Sequence, residues 1–299
     1  MDKNTLTGFI LIGLVLIGFS YFSRPSDAEI QERMRQDSIQ TIERLKAEEE
    51  IKAKEAAEIA QRVEAALDST SLFYAHRSGT ATPSVLENEL VKLTFNTRGG
   101  VVKKAELKEY KNQEGNAVIL FDEKDSHMQL MIAGKTENLN TDDFFFSAEN
   151  VTDSTVTMRL NASNGAWLDL CYALRPHSYM VDFTVQAHGM SNIFMPSLNS
   201  MDIVWNDRAR QQEKGYDFES QYSTLTYKIK DEGTEHLNAT GNEVEDIEES
   251  LDWIAFKNQF FSWVMIAHQD FTNARLGSET QKKESGYLKN YTATMKTFF

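Results

Sequence analysis

Six histidines, one cysteine and a seven-residue acidic run are the side chains through which this sequence could do bond-making chemistry. The histidines stand at His76, His127, His177, His188, His236 and His268, and none is close in sequence to another. Metal sites and acid–base pairs built on local motifs need such closeness, so each histidine is expected as a surface or packed residue. Cys171 lies in the apolar stretch Trp167–Leu174 and is expected as a small buried hydrophobe rather than a nucleophile. With a single cysteine the chain has no internal disulfide framework and no cysteine-based zinc site. The run Glu243-Val244-Glu245-Asp246-Ile247-Glu248-Glu249 lacks the glycine and oxygen-ligand spacing of a calcium loop and is expected as a solvated loop or helix start.

Phosphate and nucleophile motifs are also missing. The sequence contains no G-x-S-x-G, H-E-x-x-H, G-x-x-x-x-G-K-[ST] or G-x-G-x-x-G. Gly99-Gly100 could cradle a phosphate only ahead of a helix start, and a hairpin turn suits its flanks better. N-x-[ST] triplets at Asn150, Asn161, Asn238 and Asn290 matter only in a eukaryotic secretory setting. No catalytic, cofactor-binding or metal-ligating set is therefore expected. A formal net charge of −14 argues against a nucleic-acid partner.

The elements that would carry these residues begin with an apolar segment. Leu6–Phe22 is uncharged over 17 residues, 11 of them Leu, Ile, Val or Phe. As a helix it spans about 26 Å, close to a hydrocarbon core of about 30 Å. Tyr21 and Phe22 fit an interfacial aromatic belt, and Arg24 can snorkel. A cleaved secretory signal needs small residues ahead of the cut, which Ser20-Tyr21-Phe22-Ser23-Arg24-Pro25 does not supply. Residues 1–24 are thus expected as an uncleaved signal anchor. Lys3 on one side against Arg24, Arg33 and Arg35 on the other leaves its orientation open.

Residues 25–84 change character. Asp27–Asp68 lacks Gly and Pro, is nearly half charged and consists largely of strong helix formers. Its apolar residues, from Ile30 and Met34 to Val63 and Leu67, make a stripe too broken for sustained heptads. A solvated helical stalk is expected, with a coiled coil as the alternative. Ser69–Ser71 and His76–Ser84 read as turn and coil. Residues 85–299 read as β structure: Val91, Leu93 and Phe95 alternate with polar residues, Asn96-Thr97-Arg98-Gly99-Gly100 interrupts, and Val101-Val102 resumes. Further strands are expected at 117–121, 128–132, 144–148, 155–160, 167–174, 180–187, 201–204 and 225–229, in a large sandwich. For Leu251–Ala267, Trp253, Phe256 and Phe260 at helical spacing predict a short helix running into a core strand.

Three stretches together resemble a known family. Met1-Asp2-Lys3-Asn4-Thr5 leads into an anchor ending in Arg24-Pro25, and Leu93-Thr94-Phe95-Asn96-Thr97-Arg98-Gly99-Gly100-Val101-Val102 forms a hairpin. The third is the aromatic segment Asp252–Val264, with Asp252 where the family commonly has glycine. These are similar to the start, first periplasmic hairpin and later aromatic segment of YidC-type membrane protein insertases of Gram-negative bacteria. The resemblance runs along the whole chain and is weak in the stalk.

The resemblance implies a cytoplasmic amino terminus, residues after about 24 in the periplasm, and a mainly β fold with a β-supersandwich domain similar to sugar-binding and mutarotase domains. It implies a non-enzymatic insertase and chaperone for nascent inner-membrane proteins, in the lipid bilayer, alone or with the Sec translocon and SecDF. Ribosome contact would use regions outside this chain. The insertion groove of that family lies among five later membrane helices. The last residues, Thr292–Phe299, form a strand-like pattern, so the sequence reads as a fragment lacking those helices and the last strands of the β domain. The alternative is an anchored carbohydrate-binding or mutarotase-like sandwich, which needs a histidine and a carboxylate converging in one cleft, with His177 and His188 as candidates.

Overall fold

The computed structural model describes residues 69–298. The expected anchor and stalk lie outside them, and among the described residues no helix is long and apolar enough to cross a membrane. The described chain enters through a 3-10 turn at Tyr74–His76. β1 (Pro83–Glu87), β2 (Val91–Asn96), β3 (Val102–Lys111) and β4 (Ala117–Phe121) then form a four-stranded antiparallel sheet. β5 (Ser126–Ile132) and β6 (Leu139–Asn140) begin a larger sheet. β7 (Ser147–Glu149), β8 (Thr155–Asn161), β9 (Trp167–Leu174) and β10 (Val181–His188) form a second four-stranded sheet in the order β10-β9-β8-β7.

β11 (Ser200–Arg210), helix α1 (Tyr216–Gln221), β12 (Leu225–Ile229), β13 (Thr234–His236), β14 (Glu243–Ile247), β15 (Leu251–Lys257), β16 (Ser262–Thr280) and β17 (Tyr287–Phe298) complete the chain. The large sheet runs β13-β12-β15-β16-β17-β11-β5-β6, with β14 paired to β16. One apolar core joins all three sheets, from Phe73 and Phe95 through Leu170 to Tyr291 and Met295. The mainly β sandwich expected from the alternation is what the residues build.

Where one face is buried, the period of two is clean. Val91, Leu93 and Phe95 of β2 point inward, as do Val156, Met158 and Leu160 of β8. The β2–β3 hairpin turns at Gly99 (φ 78°) and Gly100 (φ 67°), both left-handed. A Cβ on Gly99 would lie 2.9 Å from the Asp142 Oδ1, and the positive φ itself strains any L side chain there.

Four expectations need correction. Leu251–Ala267 is a β-hairpin, with no helix. Asn258 accepts the Phe260 and Phe261 amides at 3.1 and 2.7 Å and donates its own to the Phe261 carbonyl at 3.0 Å. This turn puts Phe256 inside, Trp253 on the other face and Phe260 in solvent, so their helical spacing is incidental. The acidic run begins with strand β14 rather than a loop or helix. It lies against β16 with Arg275 paired to Asp246 at 2.6 Å and Tyr227 donating to Glu245 at 2.9 Å. The strand expected at 201–204 extends over Ser200–Arg210, through the polar residues Asn206, Asp207 and Arg208. The one expected at 144–148 is reduced to Ser147–Glu149, because Phe144 and Phe146 leave the sheet to fill the core.

Candidate functional site

The histidines do not converge. The His76 Nδ1 lies 3.1 Å from the Phe145 carbonyl. His127 is 3.4 Å from the Asp142 carboxylate but 43 % exposed. His177, in a left-handed turn, pairs with Glu89 in the open, 87 % exposed. His188 stacks on Trp167 with ring centroids 4.0 Å apart, and Arg159 lies over the same indole at 4.8 Å. His236 sits exposed on β13. The cleft chemistry of a mutarotase-like enzyme thus has neither of its candidates, His177 or His188, in a concave setting. Cys171 is half-buried on the outward face of β9, 3.9 Å from the Thr157 hydroxyl, with burial raising its thiol pKa. It is less enclosed than its apolar strand suggested, and the raised pKa disfavours the thiolate.

A second concentration of ionisable groups sits at the Arg210 end of β11. Arg210 grips two carboxylates of the β4–β5 turn, the Asp122 Oδ2 at 2.5 Å and Asp125 through its Nε. Tyr287 donates to the Asp125 Oδ1 at 2.6 Å, and the Arg208 guanidinium lies 3.7 Å over the Tyr287 ring. Next to these, Asp207 is wholly buried, and neither carboxyl oxygen has a hydrogen-bond partner among the described residues. Burial first, and the neighbouring Asp125 second, push its carboxyl well above the usual aspartate range. Lys289, opposite Ala209 in the ladder, is equally buried and donates to the Ala239 carbonyl at 2.6 Å and the Thr280 hydroxyl at 2.7 Å. Burial alone lowers its pKa. The set ties β5, β11 and β17 together, and its buried members are closed to a substrate.

Exposed aromatic surface forms a third cluster. Tyr110 at the end of β3 meets Phe261 of the β15–β16 turn edge-to-face, with centroids 5.3 Å apart. Phe260 in the same turn and Tyr179 and Met180 before β10 are also exposed. Such a patch suits contact with another surface and offers no nucleophile or proton relay. Sequence reasoning noticed the aromatic segment at 253–263 but not its partner Tyr110, which comes from the distant strand β3.

The sequence profile of the YidC periplasmic domain matches residues 84–298. The chain belongs to the YidC family. Curated relatives bearing the name membrane protein insertase YidC match along it. The protein of Phocaeicola vulgatus is 52 % identical over all of this chain and 48 % of its own length. That of Bacteroides fragilis is 44 % identical over the same shares, and that of Porphyromonas gingivalis 34 % identical over 98 % of this chain and 48 % of its own. The chain spans about half the length of these relatives and corresponds to their N-terminal part. Among solved structures, a galactose mutarotase-like protein from Lactobacillus casei aligns over 72 % of this chain and 87 % of its own at 13 % identity, with a TM-score of 0.39. In YidC terms, the described residues are the periplasmic β-sandwich.

Proposed function

We propose that this chain is the anchor, stalk and periplasmic domain of an insertase that helps nascent inner-membrane proteins enter and fold in the bacterial inner membrane, alone or beside the Sec translocon and SecDF. The observation that carries this reading is the 52 % identity to a membrane protein insertase over the entire chain. Residues 1–24 tether the protein to the bilayer with a cytoplasmic amino terminus, and the residues after about 24 are periplasmic. The role is not bond-making. Insertion lowers the cost of moving polar groups through lipid, at least about 3 kcal/mol for a charge near the bilayer centre. The β domain contributes docking and positioning through its exposed aromatic end, and ribosome contact falls to regions beyond this chain. The scattered histidines and the closed acid cluster support this reading over a carbohydrate-isomerising enzyme.

Depletion of the full-length protein in its host, with insertion of small inner-membrane proteins scored by protease protection, tests the function. Insertion should fall and return when the full chain is restored. Unchanged insertion on depletion would refute the reading.

A further inference from the structure

The β15–β16 hairpin joins the rest of the large sheet through an irregular base. Trp253–Lys257 pair with Ser262–Ile266, and the next pair is Leu251 with Phe271, so Asp252 alone lies opposite residues 267–270. β17 joins β16 at that same level, from Phe271, and its register shifts between Thr272 and Arg275. Within the shift, Asn273 is left-handed at φ 49°. Beyond this base the hairpin folds back over β11 and β17. Phe256 stacks on Trp205 of β11 and on Tyr291 of β17, with centroids 4.0 and 5.1 Å apart, and the Tyr291 hydroxyl donates to the Lys257 carbonyl at 2.7 Å.

Asp207 lies beneath this hairpin. Its ladder neighbours are Ser126 of β5 and Tyr291 of β17, and the Trp263 indole of the hairpin favours its charge. Even so, both Asp207 carboxyl oxygens and the Trp263 Nε1 are buried without a hydrogen bond among the described residues. The ionisable groups around it come from each neighbouring element. The β4–β5 turn brings Asp125, which opposes ionisation. β11 brings Arg210, which favours it but is engaged by Asp122 and Asp125, while the Arg208 guanidinium lies over the Tyr287 ring. β17 brings the Tyr291 phenol, kept protonated by burial, and Lys289, whose ammonium turns to the Ala239 carbonyl and the Thr280 hydroxyl. Burial outweighs the favourable contacts, and the closed site holds a neutral carboxyl well above the usual aspartate range.

We propose that Asp207 is a proton-held catch, whose ionisation releases the β15–β16 hairpin from β11 and β17 and bares the aromatic layer of Trp205, Phe256 and Tyr291. A carboxylate in the closed site sits beside Asp125 and out of reach of water, an uncompensated buried charge. Opening at the irregular base hydrates it while β11 stays paired with β5 and β17. The hairpin therefore gives way before the sheets do. Because the closed form binds the proton more tightly than the open one, closure is complete at low pH and is lost as pH rises through the folded-state value. The device follows from the fold and does not depend on insertion activity.

Hydrogen exchange on the full-length protein from about pH 4 to about pH 9 tests it, read as protection factors so that the intrinsic pH dependence of exchange drops out. One proton governs the opening. Protection over residues 253–257 and 262–266 should fall by up to about tenfold per pH unit and then level off. The paired Met158 and Leu170 of β8 and β9 should keep theirs throughout. Asp207→Asn should hold the hairpin closed over the whole range. Trp263→Phe keeps an aromatic ring but removes the indole N–H that favours the charge, so its fall should level off at higher pH. Flat hairpin protection in the parent, the same fall in Asp207→Asn, an equal fall at Met158 and Leu170, or a Trp263→Phe plateau at the same or lower pH would each overturn the proposal.

Discussion

Asp207 places a carboxyl group on the inward face of a central strand, where the Arg208 amide, the Trp263 indole and the Arg210 guanidinium favour its charge but burial and Asp125 outweigh them. Its folded-state pKa is raised above the unfolded value of 3.8, so its contribution to stability is complete below that value and is lost as pH rises through the folded value. Asp207→Asn keeps the shape and removes the charge. It should be about 1–3 kcal/mol more stable than the parent at alkaline pH, the difference closing toward about pH 4. Urea melts across that range decide the matter, and parallel curves for the two proteins would mean that Arg208, Trp263 and Arg210 offset the burial of the charge in full. This residue was legible only in part. Met201, Ile203, Trp205 and Ala209 share its parity, so extending the alternation past Val204 would have put Asp207 inside. Lys289 obeys the same logic from Tyr291, Ala293 and Met295. What parity cannot show is that Arg210, Asp122, Asp125 and Tyr287 meet, because their strands are far apart in sequence and join only through the sheet order.

At the scale of elements, residues 69–79 look like a loose linker in sequence yet are sewn into the sandwich. Phe73 is fully buried against Phe144, ring centroids 5.7 Å apart, and Arg77 both pairs with Glu137 at 2.6 Å and lies over the Phe144 ring at 4.7 Å. Ser71 adds a hydroxyl bond to the same glutamate at 2.5 Å. Truncating such an aromatic costs about 3–5 kcal/mol, so Phe73→Ala should lower Tm and expose the 69–82 segment to proteases well before the rest of the domain melts. Unchanged melting and proteolysis would show that the segment rides on the surface. Asn258→Ala is the matching test at the β15–β16 turn: two backbone amides lose their acceptor, and about 1–2 kcal/mol of stability should go with them in a denaturant melt. β2, β4 and β8 were readable because a single buried face imposes a period of two. The β15–β16 hairpin was misread because aromatic residues occupy both faces and the turn, and their spacing coincided with a helix. β14 was missed because a strand exposed over four of its five residues carries no apolar alternation.

For the whole molecule, a formal net charge of −14 repels anionic lipid and works against holding a bilayer by surface charge. Attachment in the proposed topology therefore falls, within this chain, to Leu6–Phe22. Its 11 large apolar side chains favour insertion by about 0.3–0.6 kcal/mol each, against the polar and glycine residues among them. The net gain is a few kcal/mol. An arginine in the middle of the segment swings the balance by about 3 kcal/mol, comparable with that gain. Expressed as residues 1–299, the parent should stay in the membrane pellet after alkaline extraction, Leu14→Ile should stay with it, and Leu14→Arg should move largely to the supernatant. Retention of Leu14→Arg in the pellet would shift the tether from Leu6–Phe22 to the aromatic end around Tyr110, Tyr179 and Phe260. The β domain would then be a membrane-binding element in its own right.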